Sequence, residues 1–197
     1  MNKGHLKNIA ASVHQRLLNK ARKTGRPFGE LLHYFAMERF LYRLSKSPHA
    51  ERFILKGALM FIAWKAPLSR PTMDIDLLGR VRNSVDEVVG LVKEICLQNV
   101  EPDGVLFDPA SIAGERIIED ADYAGIRIRF RGYLGNAHIE MQIDIAFGDI
   151  VIPSATPTDY SEESHVPVSM KGSTLSWPTS LRAYTRQAFM SCISSQG

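Results

Sequence analysis

A chain of 197 residues, 45% of them hydrophobic, is long enough to bury one full-sized core, or one core plus a small appended subdomain, and reads as an ordinary globular protein. The 24 Lys+Arg against 21 Asp+Glu leave a net charge of +3, which permits an anionic partner without demanding one. Cys96 and Cys192 form no C-x-x-C pair and no cysteine-histidine spacing that structural zinc needs; Met1 to Ala10 lacks a signal-peptide stretch, and the longest apolar region, Phe53 to Trp64, is broken by Lys56. The expectation is a cytoplasmic protein with reduced thiols and no membrane partner.

The first predicted element is an amphipathic helix carrying Val13, Leu17, Leu18 and Ala21 at helical spacing, ended by Gly25-Arg26-Pro27. A second helix begins after Pro27, runs through Leu31, Leu32, Phe35, Ala36, Phe40, Leu41 and Leu44, and stops near Ser45 to Pro48. Together they make a leading helical cap over residues 1–50. Phe53 to Leu55 reads as a strand start running into a turn at Lys56-Gly57, followed by a short helix from Ala58 to Trp64 that Pro67 closes. Phe61 and Trp64 fall at helical spacing with Ala58 and read as core. From Thr72 to Leu78 the period changes to two, with Met73, Ile75 and Leu77 on one face and Thr72, Asp74 and Asp76 on the other. Asn83 to Asn99 returns to helical spacing, with Ser84 as cap, Glu87 as its capping-box partner, and Val88, Leu91, Val92 and Ile95 inside. Two alternating runs follow, Ile126, Ile128 and Phe130 against Arg127, Arg129 and Arg131, then Ile139, Met141, Ile143 and Ile145 against Glu140, Gln142 and Asp144. They predict a hairpin turning around Gly132 to Asn136. Residues 51–150 thus form the core unit. Residues 151–197 are rich in Pro, Ser and Thr, with no regular element predicted until a helix starts over Leu181 to Met190.

Side chains two apart on a strand share a face at a spacing of roughly 6.6 Å, so Asp74 and Asp76 present two carboxylates to one side. Like charges so placed repel, and a divalent cation removes the conflict. Magnesium takes oxygen ligands and commonly bridges one or two carboxylates to substrate phosphates. A third carboxylate on a neighbouring strand completes a two-metal site, in which one ion activates an attacking hydroxyl and the other stabilises leaving pyrophosphate. Asp144 is the candidate, as third ligand and as base; Glu140 or Asp149 would also satisfy a carboxylate count. An Asp-x-Asp pair on an exposed strand usually means only a solvated face, so the combination carries the argument. The Arg127, Arg129, Arg131 row either guides RNA or a triphosphate, or pairs with Glu140 and Asp144 across the hairpin, or simply stays solvated. No Walker loop, Rossmann fingerprint or nucleophile triad is present in the sequence.

Leu55-Lys56-Gly57-Ala58, then Arg70-Pro71-Thr72-Met73-Asp74-Ile75-Asp76-Leu77, then Ile143-Asp144-Ile145 resembles the nucleotidyltransferase superfamily pattern of a glycine turn, an Asp-x-Asp strand and a later lone Asp. More narrowly, the first two segments are similar to the AbiEii/AbiGii-type toxin family, bacterial nucleotidyltransferases of toxin–antitoxin and phage-abortive systems. The likeness spans roughly Phe28 to Arg186. It implies an α/β (α+β) fold, a nucleotidyltransferase-like mixed β-sheet flanked by helices. It implies magnesium held by Asp74, Asp76 and Asp144, a nucleoside triphosphate substrate, and Lys56, Gly57, Ala58, Arg70 and Thr72 on the nucleotide. Ala58 stands where the superfamily usually has Gly or Ser and offers a backbone N–H but no hydroxyl. Members differ in acceptor and base, several adding nucleotides to the 3′ end of transfer RNA and others binding GTP, so the resemblance implies an RNA acceptor and a cognate antitoxin only as classes of partner. Leu181 to Ala188 resembles the lead into a helix bearing a phosphate-binding lysine, but Phe189 to Gly197 follows instead, as a truncation or shifted reading frame would leave it. The alternatives are therefore a catalytically incomplete remnant that binds nucleotide or a protein partner without turnover, and a phosphohydrolase built on the same carboxylates.

Overall fold

A computed structural model describes residues 3–60, 72–120, 123–148, 156–158 and 181–183. The first two helices are α1 (Lys3–Thr24) and α2 (Phe28–Lys46). Gly25, at φ 71°, ends α1 by returning its N–H to the Ala21 carbonyl at 2.9 Å, and Pro27 starts the next helix. Every residue of α2 from Leu31 to Leu44 is buried, polar ones included. A helix buried all round lies inside a protein rather than over it. It packs against α1, against α3 (Val85–Cys96) and against the strand β5 (Ala137–Phe147). One hydrophobic cluster accordingly runs from Val13 and Leu17 of α1 through Phe40 and Leu44 of α2 to Ile126, Phe130, Ile143 and Ile145 of the sheet.

The other strands are β1 (Phe53–Lys56), β2 (Ile75–Gly79), β3 (Val105–Asp120), β4 (Tyr123–Leu134), β6 (Thr156–Thr158) and β7 (Leu181–Ala183). They form one mixed sheet in the order β3-β4-β5-β2-β1-β7-β6. Pairing is antiparallel except for β2 with β5 and β1 with β7. The parallel β2/β5 pair is the feature that matters for function, because it aligns two segments 68 residues apart with Asp76 opposite Asp144. Phe40, Phe107 and Phe130 form an aromatic cluster between α2 and the sheet, with ring centroids 5.6 to 6.1 Å apart in tilted and edge-on arrangements.

The structure departs from the sequence expectations at several points. The β4/β5 hairpin turns on Gly135-Asn136, and Gly132, expected in the turn, pairs with Ile139 inside the ladder. Met73 is 49% exposed rather than buried, because β2 begins only at Ile75. Ser84 does precede α3, but its side chain makes no cap bond; Glu87 pairs with Arg82 instead, Nε to Oε2 at 2.7 Å. The long strand β3 was not expected at all. Leu181–Ala183 is a strand, not the start of a helix, and the rest of that predicted helix lies outside the described residues, as do Phe61 and Trp64. The described part of the helix after Gly57 begins at Leu59. No helix among the described residues is long and apolar enough to cross a membrane.

Candidate metal centre

The site forms where β1, β2 and β5 lie side by side. On β2, Ile75 and Leu77 turn into the core and leave Asp76 on the opposite face, where the parallel register sets it beside Asp144 of β5. Asp74 lies one residue ahead of β2, on a segment that α2 holds. The Thr72 N–H donates to the Tyr34 hydroxyl at 3.0 Å, and His33 Nε2 donates to the Met73 carbonyl at 2.6 Å. Burial depresses the His33 pKa, against the opposing pull of the Met73 carbonyl and Asp74, so the ring that makes this bond is neutral at pH 7 with its proton on Nε2. Thr72 Oγ1 then donates to Asp74 Oδ1 at 2.8 Å and orients the carboxylate.

Asp74, Asp76 and Asp144 each contribute one carboxylate oxygen to a group whose members all lie within 4.8 Å of one another. On an octahedral magnesium opposite ligands stand about 4.2 Å apart and neighbouring ones about 3 Å, so the three oxygens close on a common ion with side-chain movements of up to about 2 Å. The donor set is all oxygen and all carboxylate, the chemistry a hard divalent cation selects. These residues fit such an ion.

Gly57 shows how tightly the site is built. Its φ is 70°, and a Cβ placed there would fall 1.9 Å from Asp76 Oδ2. The Asp76 carboxylate thus occupies the space that any side chain at residue 57 would need. Lys56, half-buried, is the register partner of Asp76 across β1/β2, and Ala58 continues the turn, which closes with the Met60 N–H on the Gly57 carbonyl at 3.2 Å. Of the residues expected on the nucleotide, Lys56, Gly57, Ala58 and Thr72 are therefore gathered around the carboxylates, while Arg70 lies outside the described residues. Of the rival carboxylates, Glu140 is exposed and stands outside the triad, and Asp149 lies outside the described residues.

Sequence reasoning missed His33 and Tyr34, which hold the Asp74 segment from forty residues away and carried no local signal. It left the Arg127 row open between two roles; Arg127 grips Asp144 with two bonds, Nε to Oδ1 at 2.7 Å and a terminal nitrogen to Oδ2 at 2.6 Å. Arg129 pairs with Glu115 of β3 rather than with β5 carboxylates.

A mixed sheet with a glycine turn against an Asp-x-Asp strand, and a third aspartate in parallel register with it, defines a nucleotidyltransferase-like protein. Residues 39–191 match the family described as nucleotidyl transferase AbiEii toxin, type IV toxin–antitoxin system, and the chain belongs to that family. Among solved structures it is similar to JHP933 from Helicobacter pylori, with 17% identity and a TM-score of 0.44 over 83% of this chain and 55% of that one. A second H. pylori structure, assigned only provisionally as a nucleotidyltransferase, has 17% identity and a TM-score of 0.42 over 82% of this chain and 56% of that one. The chain therefore spans a little over half the length of these structures. No curated protein is significantly similar to it in sequence.

Proposed function

We propose that the protein is a metal-dependent nucleotidyltransferase that moves a nucleoside monophosphate from a nucleoside triphosphate to an acceptor, acting as the toxin of a toxin–antitoxin pair. The observation that carries this reading is the convergence of Asp74, Asp76 and Asp144 within 4.8 Å, from β5 and from β2 with the residue that precedes it, segments brought together only by the fold. Magnesium bound there would neutralise phosphate charge and activate the acceptor hydroxyl. In the transfer, the acceptor oxygen bonds to the α-phosphorus as the bond to the β-phosphate oxygen breaks; pyrophosphate leaves with the electron pair and the acceptor gives up its proton.

The chain's own residues have separable tasks. Asp74, Asp76 and Asp144 hold the ion and so fix where the triphosphate lies. Gly57, lacking a side chain, lets the Asp76 carboxylate lie against the turn, and the backbone N–H of Ala58, next in the chain, is offered to phosphate. Thr72 orients Asp74, Lys56 supplies positive charge beside the phosphates, and Arg70 is assigned to the nucleotide by the family resemblance alone. Arg129 and Arg131 are exposed on β4, on the face that carries Arg127 and Asp144, and support an RNA acceptor. The family relationship supports a cognate antitoxin as protein partner.

Incubation with magnesium, each α-labelled nucleoside triphosphate in turn and total RNA tests the reading. Label entering RNA with release of pyrophosphate, abolished by Asp76→Asn, is the expected result. Release of phosphate or nucleotide without an acceptor would indicate a phosphohydrolase, and tight nucleotide binding without transfer would indicate a binding protein.

A further inference from the structure

Asp144 is buried, and its two oxygens receive three hydrogen bonds. Arg127 Nε donates to Oδ1 at 2.7 Å, the Arg127 terminal nitrogen to Oδ2 at 2.6 Å, and Gln142 Nε2 to Oδ2 at 3.3 Å. A carboxylate offers about four lone-pair directions. Among the described residues the three bonds fill both on Oδ2 and one on Oδ1 and leave a single direction, on Oδ1. The antiparallel register of β4 and β5 sets Arg127 directly opposite Asp144, and the parallel register of β5 and β2 sets Asp76 on its other side. The guanidinium therefore holds Asp144 from the β4 side and leaves the β2 side, toward Asp74 and Asp76, for a cation.

We propose that Arg127, assisted by Gln142, is the positioning residue of the metal centre: it restricts Asp144 to binding the ion through Oδ1 alone and leaves it no lone pair for the acceptor proton while the ion is bound. The proposal rests on the reading of the triad as a metal site, and it revises one role within it. Asp144 becomes a ligand and not the base, so the acceptor proton passes to solvent or to another group. Side-on pairing with a planar guanidinium suits this task, since two parallel bonds fix the carboxylate plane as a single ammonium does not.

The test uses the whole chain with Mn2+ alone, and then with Eu3+, whose luminescence lifetimes in light and heavy water count inner-sphere waters. Arg127→Met removes a positive charge close to the ion, and Mn2+ is expected to bind several-fold to about tenfold more tightly. With Asp144 released to bind through both oxygens, Eu3+ is expected to hold about one water fewer than in the wild type. Nucleotide transfer is expected to fall although metal binding improves, a split that a merely structural role for Arg127 would not produce. Should Arg127→Met unfold, Arg127→Lys keeps the charge and loses the paired donors, and the hydration number is expected to fall at nearly unchanged affinity. Weaker Mn2+ binding in step with lost thermal stability, or an unchanged water count in a folded variant, overturns the proposal. If the wild type binds no Mn2+, or Asp144→Asn binds it equally well, the metal-site reading itself fails and takes the proposal with it.

Discussion

Gly57→Ala is the smallest change that reaches the heart of the site. An alanine Cβ would lie 1.9 Å from Asp76 Oδ2, 2.6 Å from Cγ and 2.8 Å from Cβ, so no small rotation of the carboxylate relieves the overlap, and either Asp76 swings away or β1 and β2 separate. Alanine at a φ of 70° adds about 1–2 kcal/mol of backbone strain, and an off-rotamer aspartate adds about 1 kcal/mol more. The expected loss of about 2–3 kcal/mol corresponds to a fall in melting temperature of roughly 4–12 °C for a chain of this size. Displacing Asp76 removes one of the three proposed carboxylate ligands, so Mn2+ affinity is expected to drop at least about tenfold even at temperatures where the variant is fully folded. Calorimetric titration with Mn2+, alongside a thermal melt, reads both effects. A variant that melts and binds metal like the wild type would show that the glycine turn does not lie against Asp76, and the argument for its role would fail.

Three further outcomes follow from the structure. Burial pushes the Glu38 pKa up to about 8, against the weaker attraction of Arg39 and Lys20. Since this folded value lies above the unfolded one, the stability Glu38 contributes is fully present below about pH 4.5 and is lost as pH rises toward 8; Glu38→Gln should remove a pH-dependent loss of the order of a few kcal/mol, measured as the difference between urea denaturations of variant and wild type at several pH values. Asp103 is buried, accepts two bonds from Arg43 at 2.9 and 3.1 Å, and lies 3.5 Å from Arg39 Nε, so Asp103→Ala strands buried positive charge. Urea denaturation of that variant should show a loss of about 3–5 kcal/mol. Ser84→Ala should cost below about 0.5 kcal/mol in the same assay, less than a bonded helix cap, because the Ser84 side chain makes no cap bond.

What the sequence disclosed was what lies close together along the chain. The α2 core positions, the apolar stripe Val88, Leu91, Val92 and Ile95, and the alternation of β4 and β5 all follow from local periodicity and reappear in the structure. Asp74 and Asp76 announced themselves by spacing, and Asp144 by the company of an apolar strand. β3 stayed hidden because Pro109 sits in a register shift between Asp108 and Ala113, and because adjacent Ile117 and Ile118 break a period of two. The capping box failed because Arg82, five residues before Glu87, competes for the same carboxylate. Glu38, Arg39 and Arg43 carry no local sign of burial; only the packing of α2 inside the protein buries them, and the two arginines then need Asp103 from about sixty residues along the chain. His33, Tyr34 and the Arg127 fork belong to the same class: their roles depend on contacts made by the fold, which no local pattern encodes.

In the proposed function, Asp74, Asp76 and Asp144 hold a divalent ion against a triphosphate. Equilibrium binding of a nonhydrolysable nucleoside triphosphate, measured with magnesium and with chelator in the wild type and in Asp74→Asn/Asp76→Asn, tests it most directly. Binding is expected to require magnesium and to disappear in the double variant while the fold persists. Equal affinity in chelator, or in a folded double variant, would contradict it.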